Sequence, residues 1–545
     1  MRKKRAPMFA GREIPLSEFE TILERARSSM LSADDVEKLT AAVDTLAVLT
    51  AELATKGTSI ERLRRMLYGA PTEKTRNVLG GKKSGSSKPS SASDTPKKPR
   101  RGHGRNSAAD YTGASKVPVP HPTLTPGASC PDPHCDGKVY HQSEPAKLLR
   151  VTGMAPLSAT LYEKERLRCN LCGEMYTAPS PPGVGEAKYD ETVAGMVGLL
   201  KYGCGVPFYR LEKLQENLGI PLPAATQWDI VRLAAEQLEP AYDEHVRQAA
   251  QGELVHNDDT TARILDLKRQ RQEAAEAAEA NGNKPDERTG IFTTGVVSQR
   301  GENTIALFFT GGQHAGENLA DVLAKRAAEL GPPLQMCDGL AANTDGDFES
   351  IVACCNAHAR RHFVDVVHNF PDECEYVLNV FREVYKTDAD ARKEALSPEQ
   401  RLLRHQAESR PRMNALKKWM KKQLDQHKVE PNSGLGQAFA YLTKHWDELT
   451  RFLSLPGAPL DNSICERALK KAILHRKNAL FFKTENGARV GDLFMTLIHT
   501  AELCRANPFD YLVTLQRHHG EVIKAPADWM PWNYRETLQR RSPET

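Results

Sequence analysis

Three acidic side chains and four cysteines are the residues here whose types and spacing could do chemistry. Asp258 stands in Leu254-Val255-His256-Asn257-Asp258-Asp259, and Asp338 closes the apolar run Leu334-Gln335-Met336-Cys337. Glu466 lies in Pro459-Leu460-Asp461-Asn462-Ser463-Ile464-Cys465-Glu466. The first two acids stand where short strands end and the third stands on a helix, so one fold can gather all three. Such a set suits hard divalent cations. Two Mg²⁺ ions about 3.5–4 Å apart activate an attacking oxygen and stabilise a leaving one in phosphodiester chemistry. Mg²⁺ keeps several waters, so a few carboxylates suffice. Singly these acids are ordinary, because strand-end aspartates serve as turn residues and helix caps. Asp259, Asp345 and Asp461 are the nearest rivals for the three places.

Cys130 with Cys135, and Cys169 with Cys172, form two close pairs. That spacing matches a four-thiolate zinc site built from two tight turns, with His134 as an alternative ligand. Four protein ligands leave no open position, so this Zn²⁺ is expected to be structural, stabilising a segment poor in apolar residues. The other seven of the eleven cysteines (Cys204, Cys337, Cys354, Cys355, Cys374, Cys465, Cys504) read as small buried hydrophobes. A large chain without a leader is a poor setting for a disulfide framework.

Basic residues surround the acids. Asn462, Glu466 and Lys470 share one helix face through four-residue spacing, and Arg467, Arg476 and Lys477 extend its positive character. The face offers an amide, a carboxylate and cations, suited to contacts with a DNA backbone. Downstream of Asp338, Arg360 and Arg361 read as phosphate contacts and His358 as an internal capping or pairing residue. Arg100, Arg101 and Arg105 lie in a Gly/Ser/Lys/Pro-rich stretch, residues 80–125, with too little apolar surface to fold. A flexible cationic tract there tracks phosphates by counterion release. A merely solvated linker is the competing reading.

The elements that must position these groups follow from periodicity. Ser32 and Asp35 cap a helix, and Val36, Leu39, Val43, Leu46 and Leu53 make a coiled-coil seam or a face packed on the same chain. Helices are expected over Val193–Leu200, Leu211–Leu218 and Ala224–Leu238. The Gly219-Ile220-Pro221 turn between the last two gives a helix-turn-helix pattern. Strands are expected at 254–256, 291–298, 304–310 and 334–337, with an exposed insertion over 268–289. A helix over about 317–330, an almost wholly helical stretch 358–454 and a helix starting near Asn462 complete the pattern. A strand-strand-strand-helix-strand order around the acids is that of a ribonuclease-H-like core.

These readings define a multidomain α/β chain. They place an N-terminal helical or coiled-coil segment at 16–79, a basic linker at 80–125, a zinc ribbon at 126–180 and a helix-turn-helix-like domain at 185–245. The ribonuclease-H-like catalytic core occupies 250–365 and 456–515 around a mostly α-helical insertion, 366–455, with a tail at 516–545. The 545 residues are 40% hydrophobic and 26% charged, with a net charge of +4. No apolar run reaches the ~20 residues of a bilayer span, and the basic start lacks the apolar segment of a secretory signal. A cytoplasmic chain, nucleoid-associated when on DNA and without a membrane role, is expected.

Together these motifs resemble the insertion sequence 66 family of transposases, of the Asp-Asp-Glu class. The resemblance covers Leu63-Arg64-Arg65-Met66-Leu67-Tyr68-Gly69 with Thr72-Glu73-Lys74, then Gly102-His103-Gly104-Arg105 and the cysteine pairs. It continues through Pro207-Phe208-Tyr209-Arg210 and Gly219-Ile220-Pro221-Leu222. Its most specific pieces are Cys355-Asn356-Ala357-His358-Ala359-Arg360-Arg361-His362-Phe363 and Leu460-Asp461-Asn462 through Arg476-Lys477-Asn478. It implies Asp258, Asp338 and Glu466 as catalytic acids holding two Mg²⁺ (or Mn²⁺) ions. It also implies double-stranded DNA as partner, both element ends and target, a homodimer or higher assembly on DNA, and small accessory proteins. Asp259 replaces the family's usual Glu, Leu340 its usual aromatic and Asn356 its common Trp; none of these is a proposed metal ligand. A domesticated, non-catalytic DNA-binding regulator and a hydrolytic nuclease of the same fold are the alternatives.

Overall fold

The computed structural model describes residues 21–22, 25–26, 31–40, 118–119, 122–131, 134–140, 156–168, 175–183, 185, 187–281 and 289–541. It divides into two units, Lys83–Pro156 and the remainder, each taken here by itself.

In the larger unit, the 292–311 region forms a hairpin because two β-rich runs, buried along most of their length, flank a turn made by Gly301 at φ +55°. Strand β4 (Phe292–Arg300) pairs antiparallel with β5 (Asn303–Gly311), and on its other side with β3 (Leu254–Thr261). β3 pairs in parallel with β6 (Leu334–Cys337), and β6 in parallel with β7 (Ile351–Cys354). With β1 (Arg166–Arg168) and β2 (Met175–Thr177) forming a separate hairpin, the main sheet runs β5-β4-β3-β6-β7.

Alternation splits the sheet's apolar residues between two cores. Val297, Ala306 and Phe308 pack on one side, and Val255, Val296, Ile305 and Leu307 on the other. The first side is covered by α1 (Glu191–Gly198, continued by a π turn), α3 (Ala224–Ala249), α11 (Ser463–Ala479) and α12 (Glu485–Leu503). The second is covered by α5 (Ala315–Leu323) and the end of α3. Between these lie α2 (Phe208–Asn217), packed on α3, and α4 (Leu265–Ala280), which buries no residue.

Edge strand β5 is masked rather than left open. Thr310, Phe308 and Ala306 donate their N–H groups to Asp492, Thr496 and Thr500 of α12, at 2.7, 3.2 and 3.1 Å. Four helical residues rise about 6 Å and two strand residues about 6.7 Å, so the two ladders stay in step. This covers an edge that would otherwise invite pairing with another chain.

From β7 the chain enters α6 (Asn356–Val366), α7 (Pro371–Lys393), α8 (Pro398–Asp425), α9 (Gly434–Lys444) and α10 (Trp446–Leu449). Phe381, Met413, Leu416, Phe439 and Leu442 give them a core of their own. A final group, α13 (Pro508–Arg517), α14 (His519–Val522) and α15 (Tyr534–Arg541), returns to α3.

Four expectations change. β3 continues past His256 through both aspartates, because every residue to Thr261 pairs with β4, and pairing overrides the low strand propensity of Asp. The helix expected to about 330 stops at Leu323; Arg326 there binds the Ala250, Gly252 and Gly331 carbonyls, turning the chain toward β6. β7, only four residues long with Ile351 exposed, shows too little alternation to read. Residues 516–541 are not a tail: Trp529 is fully buried and accepts the Tyr511 hydroxyl at its carbonyl, 2.9 Å away.

Toward the N-terminus, Ser32 and Asp35 make the expected reciprocal cap, at 3.2 and 3.0 Å. The rest of the heptad seam, together with Arg100, Arg101, Arg105, Cys169 and Cys172, lies outside the described residues. In the smaller unit Ser129 bridges Lys138, and the Cys130 N–H donates to Gly137 at 2.8 Å, so Cys130 and Cys135 share one tight turn. In the larger unit, β1 and β2 pair antiparallel, Arg166 opposite Thr177. No described helix is long and apolar enough to cross a membrane.

Candidate active site

Register brings the two aspartates level. His256 sits opposite Met336 in the parallel β3–β6 pair, so two residues further on Asp258, still within β3, comes level with Asp338, just past the end of β6. Asp338 is fixed by its turn: its Oδ1 accepts the Leu340 N–H at 3.0 Å and the Asn343 side-chain amide. Tyr441, from the helical insertion, accepts the next N–H, that of Gly339, at 3.2 Å.

Asp259, one residue along, faces the other way. Its carboxylate accepts from Thr294 Oγ1 at 2.6 Å and the Ala315 N–H at 2.9 Å, with His314 at 3.1 Å. It anchors the start of α5, which removes it as a rival for the site. Strand alternation made that separation available from the sequence once β3 was known to run through both aspartates.

Glu466 reaches the aspartates because α11 lies close against β3 and β4. Gly295, the β4 partner of Asp258, has no side chain; a Cβ there would stand 3.0 Å from Leu469 and 3.4 Å from the Cys465 sulfur. Cys465 donates its thiol hydrogen to the Gly295 carbonyl at 3.2 Å. Asn462 pins the helix start: its amide donates to the Asn257 carbonyl and its Oδ1 accepts from His256 Nδ1, both at 3.0 Å. Asn462 is 0% exposed, so the expected DNA contact is corrected to a positioning role. His256 is neutral there, since burial pushes it down to about 4.

The acids form one electrostatic neighbourhood. Burial raises the Asp258 carboxyl to about 7, against the Asp259 N–H it accepts at 2.8 Å, and the charges of Asp338, Glu466 and Asp259 push it the same way. A half-buried anion crowded by anions is an arrangement that a multivalent cation relieves. The three acids are therefore a donor set that suits Mg²⁺, although they do not close to one tight ligand sphere. Among the described residues, that tightest grouping is Cys355, His358 and Glu466, whose ligand atoms lie within 4.8 Å of one another. His358 Nε2 stands 3.7 Å from Glu466 Oε1. His358 is thus the pairing residue expected, with Glu466 as its partner, and Cys355 is fully buried as expected, yet both stand beside the glutamate of the site.

The basic residues divide. Arg467, Lys470 and Lys477 are exposed along α11, and Arg360 and Arg361 are half-buried on α6. Arg476 instead binds Thr260 Oγ1 at 3.2 Å and Thr261 Oγ1 at 2.6 Å, clamping α11 to the end of β3.

Residues 188–490, more than half of the chain, match the sequence model of a family described as "Transposase IS66 family". Curated relatives include three proteins of Sinorhizobium fredii (strain NBRC 101917 / NGR234). Uncharacterized protein y4jD is 27% identical over 388 residues, 68% of this chain and 72% of its own. Uncharacterized protein y4qI is 26% identical, over 63% of this chain and 62% of its own. Uncharacterized protein y4hP is 24% identical, over 68% and 67%.

Proposed function

The chain belongs to the IS66 family of transposases, and from that premise we propose that it cuts and joins DNA strands at the ends of an insertion sequence, using Asp258, Asp338 and Glu466. The observation that carries this reading is geometric: the β3–β6 register sets Asp258 level with Asp338, and the helix bearing Glu466 packs against the same strand β3. The sheet order, with three antiparallel strands followed by two parallel ones, supports a ribonuclease-H-like core interrupted by the helices of 366–455.

In this reading the three acids hold two Mg²⁺ (or Mn²⁺) ions, which when bound activate the attacking oxygen and stabilise the leaving one. The chain's own residues set the geometry. Asn462 and Arg476 lock α11 on β3, Gly295 permits the close approach, and Asn343 orients Asp338. Arg467, Lys470 and Lys477 along α11, and Arg360 and Arg361 on α6, are the residues to hold the phosphates flanking the scissile bond, positioning without reading sequence.

Sequence recognition falls to the front of the chain. α2 and α3, joined by the Gly219 turn, support a helix-turn-helix-like reading of 185–245. The Arg100, Arg101 and Arg105 tract adds phosphate affinity, and the N-terminal helix supports pairing of two chains across two DNA ends. Cys130, Cys135, Cys169 and Cys172 hold one structural Zn²⁺, which metal analysis of chelator-washed protein reads directly.

Changing Asp258, Asp338 or Glu466 to Ala should remove several kcal/mol of transition-state stabilisation, lowering strand joining about 10³-fold or more. Binding to the element's ends should survive. Near-normal joining by any one variant overturns the assignment. Nicked product without joined product in the wild type would mark a hydrolytic nuclease, and end binding without nicking a regulator.

A further inference from the structure

Cys355 is the residue before α6 and His358 lies in its first turn, so a thiol and an imidazole project from one helix start toward Glu466 of α11. The Cys355 sulfur is fully buried and accepts the Asn462 N–H at 3.3 Å, which fixes it between the two helices. Glu466 Oε1 is buried with no hydrogen-bond partner, as is His358 Nδ1. A carboxylate oxygen left so carries an uncompensated desolvation cost, and a cation on that oxygen removes it.

The three groups are a soft sulfur, a borderline nitrogen and a hard oxygen. That mixture suits Zn²⁺ or Co²⁺ and not Mg²⁺, which takes oxygen ligands. The dimensions agree. Zinc-to-nitrogen and zinc-to-oxygen bonds of about 2.0–2.1 Å at tetrahedral angles put those ligand atoms about 3.3 Å apart, against the observed 3.7 Å between His358 Nε2 and Glu466 Oε1. Closing the full set, now within 4.8 Å, needs movements of about an ångström.

We propose that Cys355, His358 and Glu466 form a second site, overlapping the proposed Mg²⁺ set at Glu466, for a soft divalent cation such as Zn²⁺, with one coordination position left open. Binding displaces the Cys355 thiol proton to solvent and engages the glutamate that the proposed Mg²⁺ set shares. A cation here therefore competes with the hard-metal arrangement and holds the site in an inactive state. The competition rests on the catalytic reading of Glu466; the binding site itself does not.

The test is cobalt titration of the full chain after a chelator wash that leaves the four-thiolate zinc in place, reading thiolate-to-cobalt absorption. Wild type and Asp258→Asn should both develop the band. Cys355→Ser, which keeps the cap and the volume, should lose it. His358→Ala should weaken binding by more than the roughly 10–100-fold that a supporting residue costs. Cys169→Ser serves as the control for the ribbon and should keep the Cys355-dependent component. An identical band in wild type and a folded Cys355→Ser protein, checked by circular dichroism, overturns the site. Normal strand joining by Asp258→Asn overturns the catalytic reading instead, so the two failures are distinguishable.

Discussion

Asp492 shows what burial does to a carboxylate with neutral partners only. It is almost fully buried on α12, accepts the Thr310 N–H and hydroxyl at 2.7 Å each, and is still pushed up to about 7 from its ordinary 3.8. Between these two values the folded chain keeps a proton that the unfolded chain has released. Stability therefore falls as pH rises from about 4 to about 7, and the full cost is felt above that. Asp492→Asn, which keeps an acceptor for the Thr310 N–H, should flatten this dependence. Relative to the variant, the wild type should lose roughly 2–4 kcal/mol between pH 4 and pH 8, measured by urea unfolding. Parallel pH profiles for the two proteins would refute it. At this scale the sequence named the acids but not their sides. Nothing in the pair Asp258-Asp259 says which one faces the cluster; that depends on β3 pairing through both residues. Helical spacing puts Asn462 on the face of Glu466 but does not tell that the helix begins there, with the Asn462 side chain bonded to β3.

Helix α11 depends on a missing side chain. Leu469 and Cys465 occupy the space beside Gly295, and the glutamate of that helix belongs to the proposed cluster. Gly295→Val should push α11 outward, costing about 1–3 kcal/mol by overpacking. Strand joining should fall well beyond what that loss of stability explains. Leu469→Ala in the same chain should recover part of the loss, because neighbouring changes are not additive. Additive unfolding energies, or joining that tracks stability alone, would show that the contact does not set the site. Hydrophobic periodicity made the hairpin β4–β5, the strand β6 and the start of α11 legible. It could not show the close approach at Gly295, nor the Thr496–Thr500 ladder over β5, since both are relations between distant elements.

The larger unit is completed by its last segment. The sequence beyond residue 515 is polar and rich in Arg and Pro, which reads as a tail, because its few apolar residues follow no long helical period. Yet Trp529 and Tyr534 fill the core formed by α3, α12 and α13, and His519 binds the Gln237 carbonyl of α3 at 2.8 Å. Tyr511 lies against Tyr534, with ring centroids 5.2 Å apart. Removing a large buried aromatic costs about 3–5 kcal/mol, and two such losses reach much of the 5–15 kcal/mol that a domain holds. A chain ended after residue 515 should therefore lose its cooperative unfolding transition, not merely a dispensable extension. Trp529→Ala alone should lower the melting temperature by at least several degrees. A truncated protein that unfolds at the wild-type temperature would show that the catalytic unit ends where the sequence pattern suggested.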